Sequence, residues 1–290
     1  MHYKKIGYLY ILLFLSLLSG DIYALTINDT IWQGKSHFII DTESAIYFYD
    51  KSGGGFSSIL DKTGNDWISF NDNGNDIYPN SAAGRFRGLP NFVFGSKDSG
   101  AGHPGFEQCE SHIISNNEIS TQTLSGKWQW RWQFDEHFAV VTMEKLDEKH
   151  AYWFLYEGTV GGSFQPAISY WGTNTRQPSN TTPDYFKGEK IFENWSWVFF
   201  GRKDVDRIFY IVMETPDNLL DTFSYLGNSD KGIHSENGMV VFGFGRKEGA
   251  VPLMNNKNNR FTIGFYEQPV ITKKAYKKLS KFLNEQLILK

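Results

Sequence analysis

The sequence predicts an all-β protein: two large stacked antiparallel sheets with one C-terminal helix. Three observations lead there. Nearly every segment is a short run of β-branched or aromatic residues bounded by turn residues. One run alternates apolar and polar residues without error, and helical periodicity is confined to the tail.

In chain order the strand-like runs are SAIYFYD, GFSSIL, RFRGLPNFVF, EISTQTL, KWQWRWQF, FAVVTMEKL, AYWFLYEG, WSWVFF, RIFYIVMET, GMVVFGFG and RFTIGFYEQ. Turn signals separate them, among them KSGGG, KTGND, NDNGND, SNNE, GTVGG, SDKG and NNKNN. In KWQWRWQF, Trp128, Trp130, Trp132 and Phe134 face one way; Lys127, Gln129, Arg131 and Gln133 face the other. That is the signature of a half-buried antiparallel strand. Read as a strand, RFRGLPNFVF places Arg85 and Arg87 side by side on one face. In the tail, Tyr276, Leu279, Phe282, Leu283 and Leu287 recur at helical spacing opposite a lysine-rich face. A helix capping the sandwich is the expectation; a basic helix on a membrane surface is the alternative. With no repeat, linker or composition shift, residues 25–290 read as a single β-sandwich catalytic domain.

Residues 1–24 have the layout of a secretory signal peptide: Lys4 and Lys5, an apolar run from Ile6 to Leu18, a polar break and Ala24. The run is short for a span of roughly 20 residues. The expectation is export to a periplasm or the exterior, with no stable membrane insertion after cleavage. Cys109 is the only cysteine, so no intrachain disulfide forms and stability rests on burial. A net charge of −3 without a basic block before the tail argues against nucleic acid as a partner. The 17 % aromatic content, with nine Trp, fits either sugar stacking or a large aromatic core.

No phosphate-binding loop, nucleophile elbow or zinc-protease motif is present, and the seven histidines lack metal-ligand spacing. No metal or other cofactor is expected. DKTGND and NDNGND resemble calcium loops but lack the closing glutamate, so they read as turns. What remains is a constellation: Arg85, Arg87 and Asn91; His103 in a Gly/Pro loop; Tyr156 and Glu157 ending a strand; and Glu267 near the end. Paired guanidiniums suit a carboxylate. The histidine suits proton transfer near neutral pH, and a partly desolvated glutamate can act as a base. Taken singly, each also has a structural explanation, as a solvated sheet residue, a loop brace or a turn cap.

The order of GRFRGLPN, HPGF and IGFYEQ resembles that of galactose mutarotase-like proteins, which implies a β-supersandwich. Carried over, Arg85 or Arg87 would hold the sugar, His103 would act near its ring, and Glu267 would occupy the position of the family's base. That family's second histidine has no counterpart near YWFLYEG, which argues against simple epimerisation. The wording GGFSS, DKTGNDWISF, RGLPN, HPGF, YWFLYEGTVGG and FGFGR is similar to that of exported proteins of marine ulvan-degrading bacteria. That resemblance implies an oligosaccharide dehydratase that removes water from a non-reducing-end uronate, leaving a 4,5-unsaturated sugar. On this reading Arg85, Arg87 and Asn91 are the fixed donors that pair with the carboxylate. His103, Tyr156 and Glu267 share the acid and base roles, Glu157 contributes to binding, and Trp171 and Trp197 stack on neighbouring rings. The partner is a uronate-containing oligosaccharide. A lyase of the same chemistry, a non-catalytic carbohydrate-binding protein and a sugar epimerase are the alternatives.

Overall fold

The computed structural model describes residues 25–72, 78, 80, 84–235 and 237–288. The leader expected over residues 1–24, and residues 73–76 of the NDNGND turn, lie outside them. The first strands are β1 (Thr26–Trp32), β2 (Lys35–Asp41), β3 (Ala45–Asp50) and β4 (Gly55–Asp61). Next come β5 (Cys109–Ser115), β6 (Glu118–Thr123), β7 (Gln129–Phe134), β8 (Phe138–Lys145) and β9 (Phe154–Gly158). β10 (Ser169–Thr173), β11 (Ile191–Glu193), β12 (Trp197–Arg202), β13 (Ile208–Met213) and β14 (Asp221–Leu226) follow. The chain closes with β15 (Met239–Phe244), β16 (Arg246–Lys247), β17 (Val251–Pro252), β18 (Arg260–Tyr266) and helix α1 (Lys273–Ile288). The helix falls where the tail's periodicity predicts it.

The strands pair antiparallel into sheets ordered β1-β2-β3-β4, β10-β12-β13-β18-β8-β7-β6-β5 and β11-β14-β15-β9, with β16 and β17 as a short ribbon. The two four-stranded sheets are joined edge to edge through Gly88 and Leu89. Phe56 of β4 donates its N–H to Leu89 O at 2.7 Å. Gly88 and Glu157 of β9 exchange both backbone hydrogen bonds, at 2.7 and 3.0 Å. The composite sheet packs on the eight-stranded one through aromatic rings: Phe56 meets Trp132 edge-on at 4.7 Å, and Phe154 stacks on Phe261 at 4.5 Å. Two stacked antiparallel sheets result, as the sequence predicts.

Alternation then decides what each side chain faces. On β7, Trp130, Trp132 and Phe134 are buried in the interlayer core, and Trp130 Nε1 donates to Tyr49 Oη at 3.0 Å. On β13, Phe209, Ile211 and Met213 enter that core, while Ile208, Tyr210 and Val212 point outward under Leu279 and Leu283 of α1. This strand is apolar throughout because both its faces are covered. Trp197 belongs to the helix-covered side: it is fully buried and its Nε1 donates to Asn284 Oδ1 at 2.9 Å. Trp171 is also fully buried, its ring 4.5 Å from Phe223 and its Nε1 bonded to Thr181 O. Neither tryptophan can stack on a sugar, so their expected binding roles are corrected.

RFRGLPNFVF is not a regular strand. Gly84–Phe86 forms a 3₁₀ turn, and only Gly88 and Leu89 make bridges. Arg85 and Arg87 therefore do not share a sheet face. The Arg87 guanidinium is buried and donates to Ser69 O at 2.9 Å and Gly238 O at 3.1 Å, tying two loops together. In DKTGND the Asp61 carboxylate accepts the N–H groups of Thr63 and Asn65, and Asp66 accepts those of Ile68 and Ser69. These acids cap their own turns.

The join between the sheets is crowded. A Cβ at Gly55, the first residue of β4, would stand 2.2 Å from Gly102 O and 3.0 Å from Leu89 O. Gly55→Ala should therefore destabilise the protein by about 1–3 kcal/mol in denaturant titration. An unchanged midpoint would show that this close approach is not needed.

Candidate functional site

On its outer face the composite sheet carries a cavity of about 450 Å³, within the size range of ligand pockets. Its floor follows from strand period. Trp153, Leu155 and Glu157 lie at alternate positions leading into and along β9, and Met239 and Val241 alternate on β15; all five line the cavity. The intervening Phe154 and Tyr156 point into the core. Tyr156 is fully buried, with its hydroxyl donating to Trp67 O at 2.8 Å. Its expected catalytic role is corrected for that reason: on one strand, Tyr156 and Glu157 cannot face the same side.

The walls come from the 84–106 loops, from Tyr78 and Tyr185, and from Arg246. Asn91 sits in the left-handed region (φ 47°), and this turn aims its amide at Glu157, donating Nδ2–H to Oε2 at 2.5 Å. Its own carbonyl accepts Trp153 Nε1–H at 2.7 Å, which locks floor and wall together. Removal from water pushes the Glu157 carboxyl up to about 7, against the pull of Arg246 and the Asn91 amide.

Arg246 is the charge that sequence reasoning missed. It follows β15 after Gly245, whose φ is 60°, at a turn gripped by Asp221: that carboxylate accepts the Gly245 and Trp195 N–H groups, each at 2.8 Å. Burial pushes Asp221 up to about 8. The Arg246 side chain lies across Gly243, where a Cβ would meet its Cβ and Cδ at 3.0 and 2.9 Å. The residue is only 8 % exposed, its Cζ stands 5.6 Å over the Trp153 ring, and its Nε and Nη1 have no hydrogen-bond partner. Burial works against its charge, while Glu157, Tyr185 and Tyr78 support it electrostatically. Tyr78 is itself raised by burial and by the neighbouring Tyr185, to whose hydroxyl it is hydrogen-bonded, so it stays a protonated phenol. The sequence signals for Arg246 are its place closing the apolar run GMVVFGFG and its presence in the FGFGR stretch.

His103 lines the cavity, yet both ring nitrogens face backbone carbonyls: Nδ1 to Pro104 O at 2.6 Å and Nε2 to Phe86 O at 3.0 Å. Burial lowers it below the ordinary imidazole range. The neutral ring has one N–H and so donates to one of these carbonyls; buried between them, it braces the wall, which corrects its expected role in proton transfer. Glu267 lies outside the cavity, just past β18; its side chain is 53 % exposed and pairs with Arg207 Nη2 at 3.3 Å. Arg85 rests over the Phe86 ring at 5.1 Å and does not line the cavity; neither does Arg87. The expected roles of Glu267 and both arginines are corrected accordingly. Of the expected residues, the cavity brings together Asn91, His103 and Glu157. Among the described residues, no three His, Cys, Asp or Glu side chains converge as metal ligands, and no helix is long and apolar enough to cross a membrane.

No protein-family profile matches the sequence, and neither does any curated protein. Solved structures do resemble the fold. One is YeaD of Salmonella typhimurium, a candidate mutarotase (TM-score 0.52, 9 % identity, covering 84 % of this chain and 94 % of that one). Another is a galactose mutarotase-like protein from Lactobacillus casei (TM-score 0.50, 10 % identity, 79 % and 100 % covered). The chain thus has the mutarotase-like β-sandwich fold.

The raised Glu157 carboxyl has a consequence for stability. Between the ordinary carboxylate value near ~4.3 and about 7, the folded chain keeps a proton that the unfolded chain has released. Stability attributable to this group is present at low pH and lost as pH rises through that window. Glu157→Gln cannot ionise. It should stabilise the protein relative to the parent at pH 8 by up to about 3 kcal/mol, and little at pH 4. Equal effects at both pH values in chemical denaturation would contradict the shift.

Proposed function

We propose that the cavity binds the terminal uronate of an oligosaccharide and eliminates across C4 and C5, most directly as a dehydratase that leaves a 4,5-unsaturated sugar. The observation that carries this reading is the Arg246 guanidinium, buried in an aromatic cavity with two nitrogens unpaired. A buried unpaired charge is costly, and a ligand carboxylate supplies an acceptor of opposite charge. Glu157 and the hydrogen-bonded phenols of Tyr78 and Tyr185 line the same space.

The steps balance. Glu157, as carboxylate, takes the C5 proton, and the electron pair forms the C4=C5 bond as the C4–O4 bond breaks. One of the two phenols protonates the departing oxygen, which leaves as water, and the proton held by Glu157 restores that phenol. Negative charge developing on the uronate carboxylate is met by Arg246, already in place and shielded from water. A lyase would differ only in the leaving group, a glycosidic oxygen in place of the 4-hydroxyl. The export expected for residues 1–24 suits a polymer-derived substrate met outside the cytoplasm, and the ulvan-like wording of the sequence names the first substrates to try.

The test is incubation with glucuronate-ended oligosaccharides, ulvan-derived ones included, followed by ultraviolet absorbance and mass analysis. Loss of one water marks the dehydratase and chain shortening the lyase. Exchange of the C5 hydrogen with solvent deuterium without elimination marks an epimerase, and binding without change marks a carbohydrate-binding protein. No reaction and no binding across a panel of uronate-ended glycans would overturn the reading.

Arg246→Ala should lower kcat/KM by about 10²–10³-fold. Arg246→Lys should recover only part, because an ammonium lacks the planar fork. With Glu157 as base, kcat/KM should fall about tenfold per pH unit below about 7 and level off above it. A flat profile from pH 5 to 8 would remove Glu157 from that role.

A further inference from the structure

We propose that the mouth of this cavity is a second sugar subsite, in which Phe94 and Phe106 take the ring linked to the terminal uronate. The inference rests on the reading of Arg246 as the uronate anchor and extends it to the substrate class: chain ends of two or more rings, not free uronates. Its starting point is where the molecule exposes aromatic rings. Among the described residues, the exposed large aromatics are Tyr78, Phe94 and Phe106, and all three line this one cavity. The exposed aliphatic residues, such as Ile31, Ile114, Leu124 and Ile271, do not line it. Scattered apolar residues need no explanation, whereas rings gathered at one opening do.

Phe94 is 46 % exposed and stacks nearly parallel on Trp153, at 4.9 Å and 21°. Trp153 is the same ring that carries the Arg246 guanidinium 5.6 Å from its centroid. Trp153 thus links the surface ring of Phe94 to the buried charge. Phe106, 41 % exposed, stands edge-on to His103 at 4.8 Å and 85°. It lies so close over Gly100 that a Cβ there would come within 2.4 Å of the ring. His103, buried between the carbonyls of Pro104 and Phe86, is thereby a support for Phe106. Rings held this way lose little freedom when they meet the C–H face of a pyranose, which is apolar where its hydroxyls are equatorial.

Calorimetry on the protein at pH 5, where Glu157 is protonated and turnover is suppressed, tests the inference. The ligands are methyl glucuronide and a disaccharide ending in glucuronate. The two-ring ligand should bind about tenfold more tightly than the one-ring ligand. Phe94→Ala, at a half-exposed position, should erase that gain while leaving methyl glucuronide affinity unchanged. Phe106→Ala should act in the same direction, and Arg246→Ala should weaken both ligands. Equal affinity for one and two rings, or an equal loss of both in Phe94→Ala, would overturn the second subsite and leave the uronate anchor standing. A two-ring gain that persists while Arg246→Ala changes nothing would overturn the anchor and leave the aromatic mouth. Absence of binding by both ligands would overturn both.

Discussion

The pair of backbone hydrogen bonds between Gly88 and Glu157 is the contact on which the rest of the molecule depends. Without it the chain has two four-stranded sheets, each with an open edge. With it, β4 and β9 become neighbours through a two-residue stitch, and one continuous layer can cover the aromatic face of the eight-stranded sheet. The same bonds set the phase of β9. Because side chains alternate, fixing the Glu157 backbone against Gly88 sends its carboxyl to the outer face and Tyr156 into the core. Asn91, three residues beyond Gly88, is thereby delivered to the carboxylate that it hydrogen-bonds. Fold and site share one register.

The electrostatics of the cavity follow from this geometry. Glu157 and Arg246 sense each other's charge, yet they are not within ion-pair distance, and each is deprived of water. A direct pair would have neutralised both and left the cavity with nothing to offer a ligand. Held apart, the acid rises to a value where it can exchange a proton near neutrality, and the guanidinium keeps unpaired N–H groups facing an apolar space. Asp221 and Gly243 maintain that separation, the first by gripping the turn before Arg246 and the second by giving its side chain a flat track across β15.

Much of the fold was legible because it is written in short-range patterns. The alternation of β7, the helical stripe of α1 and the apolar runs of β12, β13, β15 and β18 each report a burial that the structure contains. A further signal was available in TINDTIWQGKSHFII: Gln33 and Gly34, both at positive φ, make the two-residue turn of the β1–β2 hairpin. The site was less legible, for a physical reason. Asn91, His103 and Glu157 lie on or beside the stitch, and residue type in its local setting brought each into view. Arg246 reaches the cavity only through the pairing of β15 with β9, a contact across nearly ninety residues that the FGFGR stretch by itself does not reveal. Arg85 and Arg87 misled because a strand was read into a segment that makes only two bridges. Trp171 and Trp197 misled because a tryptophan that stacks on sugar and one that fills a core look the same until burial is known.

The arginines draw the distinction most sharply. Both Arg87 and Arg246 are buried, but Arg87 gives its guanidinium hydrogens to the carbonyls of Ser69 and Gly238 and so braces two loops. Arg246 has an aromatic ring beneath it, a carboxyl group nearby and no acceptor for Nε or Nη1. Folding alone gives no reason to bury a guanidinium in that state, since an apolar residue of similar volume would fill the place at less cost. The asymmetry is resolved if the missing acceptor arrives with the ligand: the site stores an unmet electrostatic demand, and an anion small enough to enter past Phe94 and Phe106 meets it. A neutral sugar could stack on the same rings but would leave Arg246 unsatisfied. Discrimination between the two therefore resides in the charge, while the aromatic mouth contributes affinity to both.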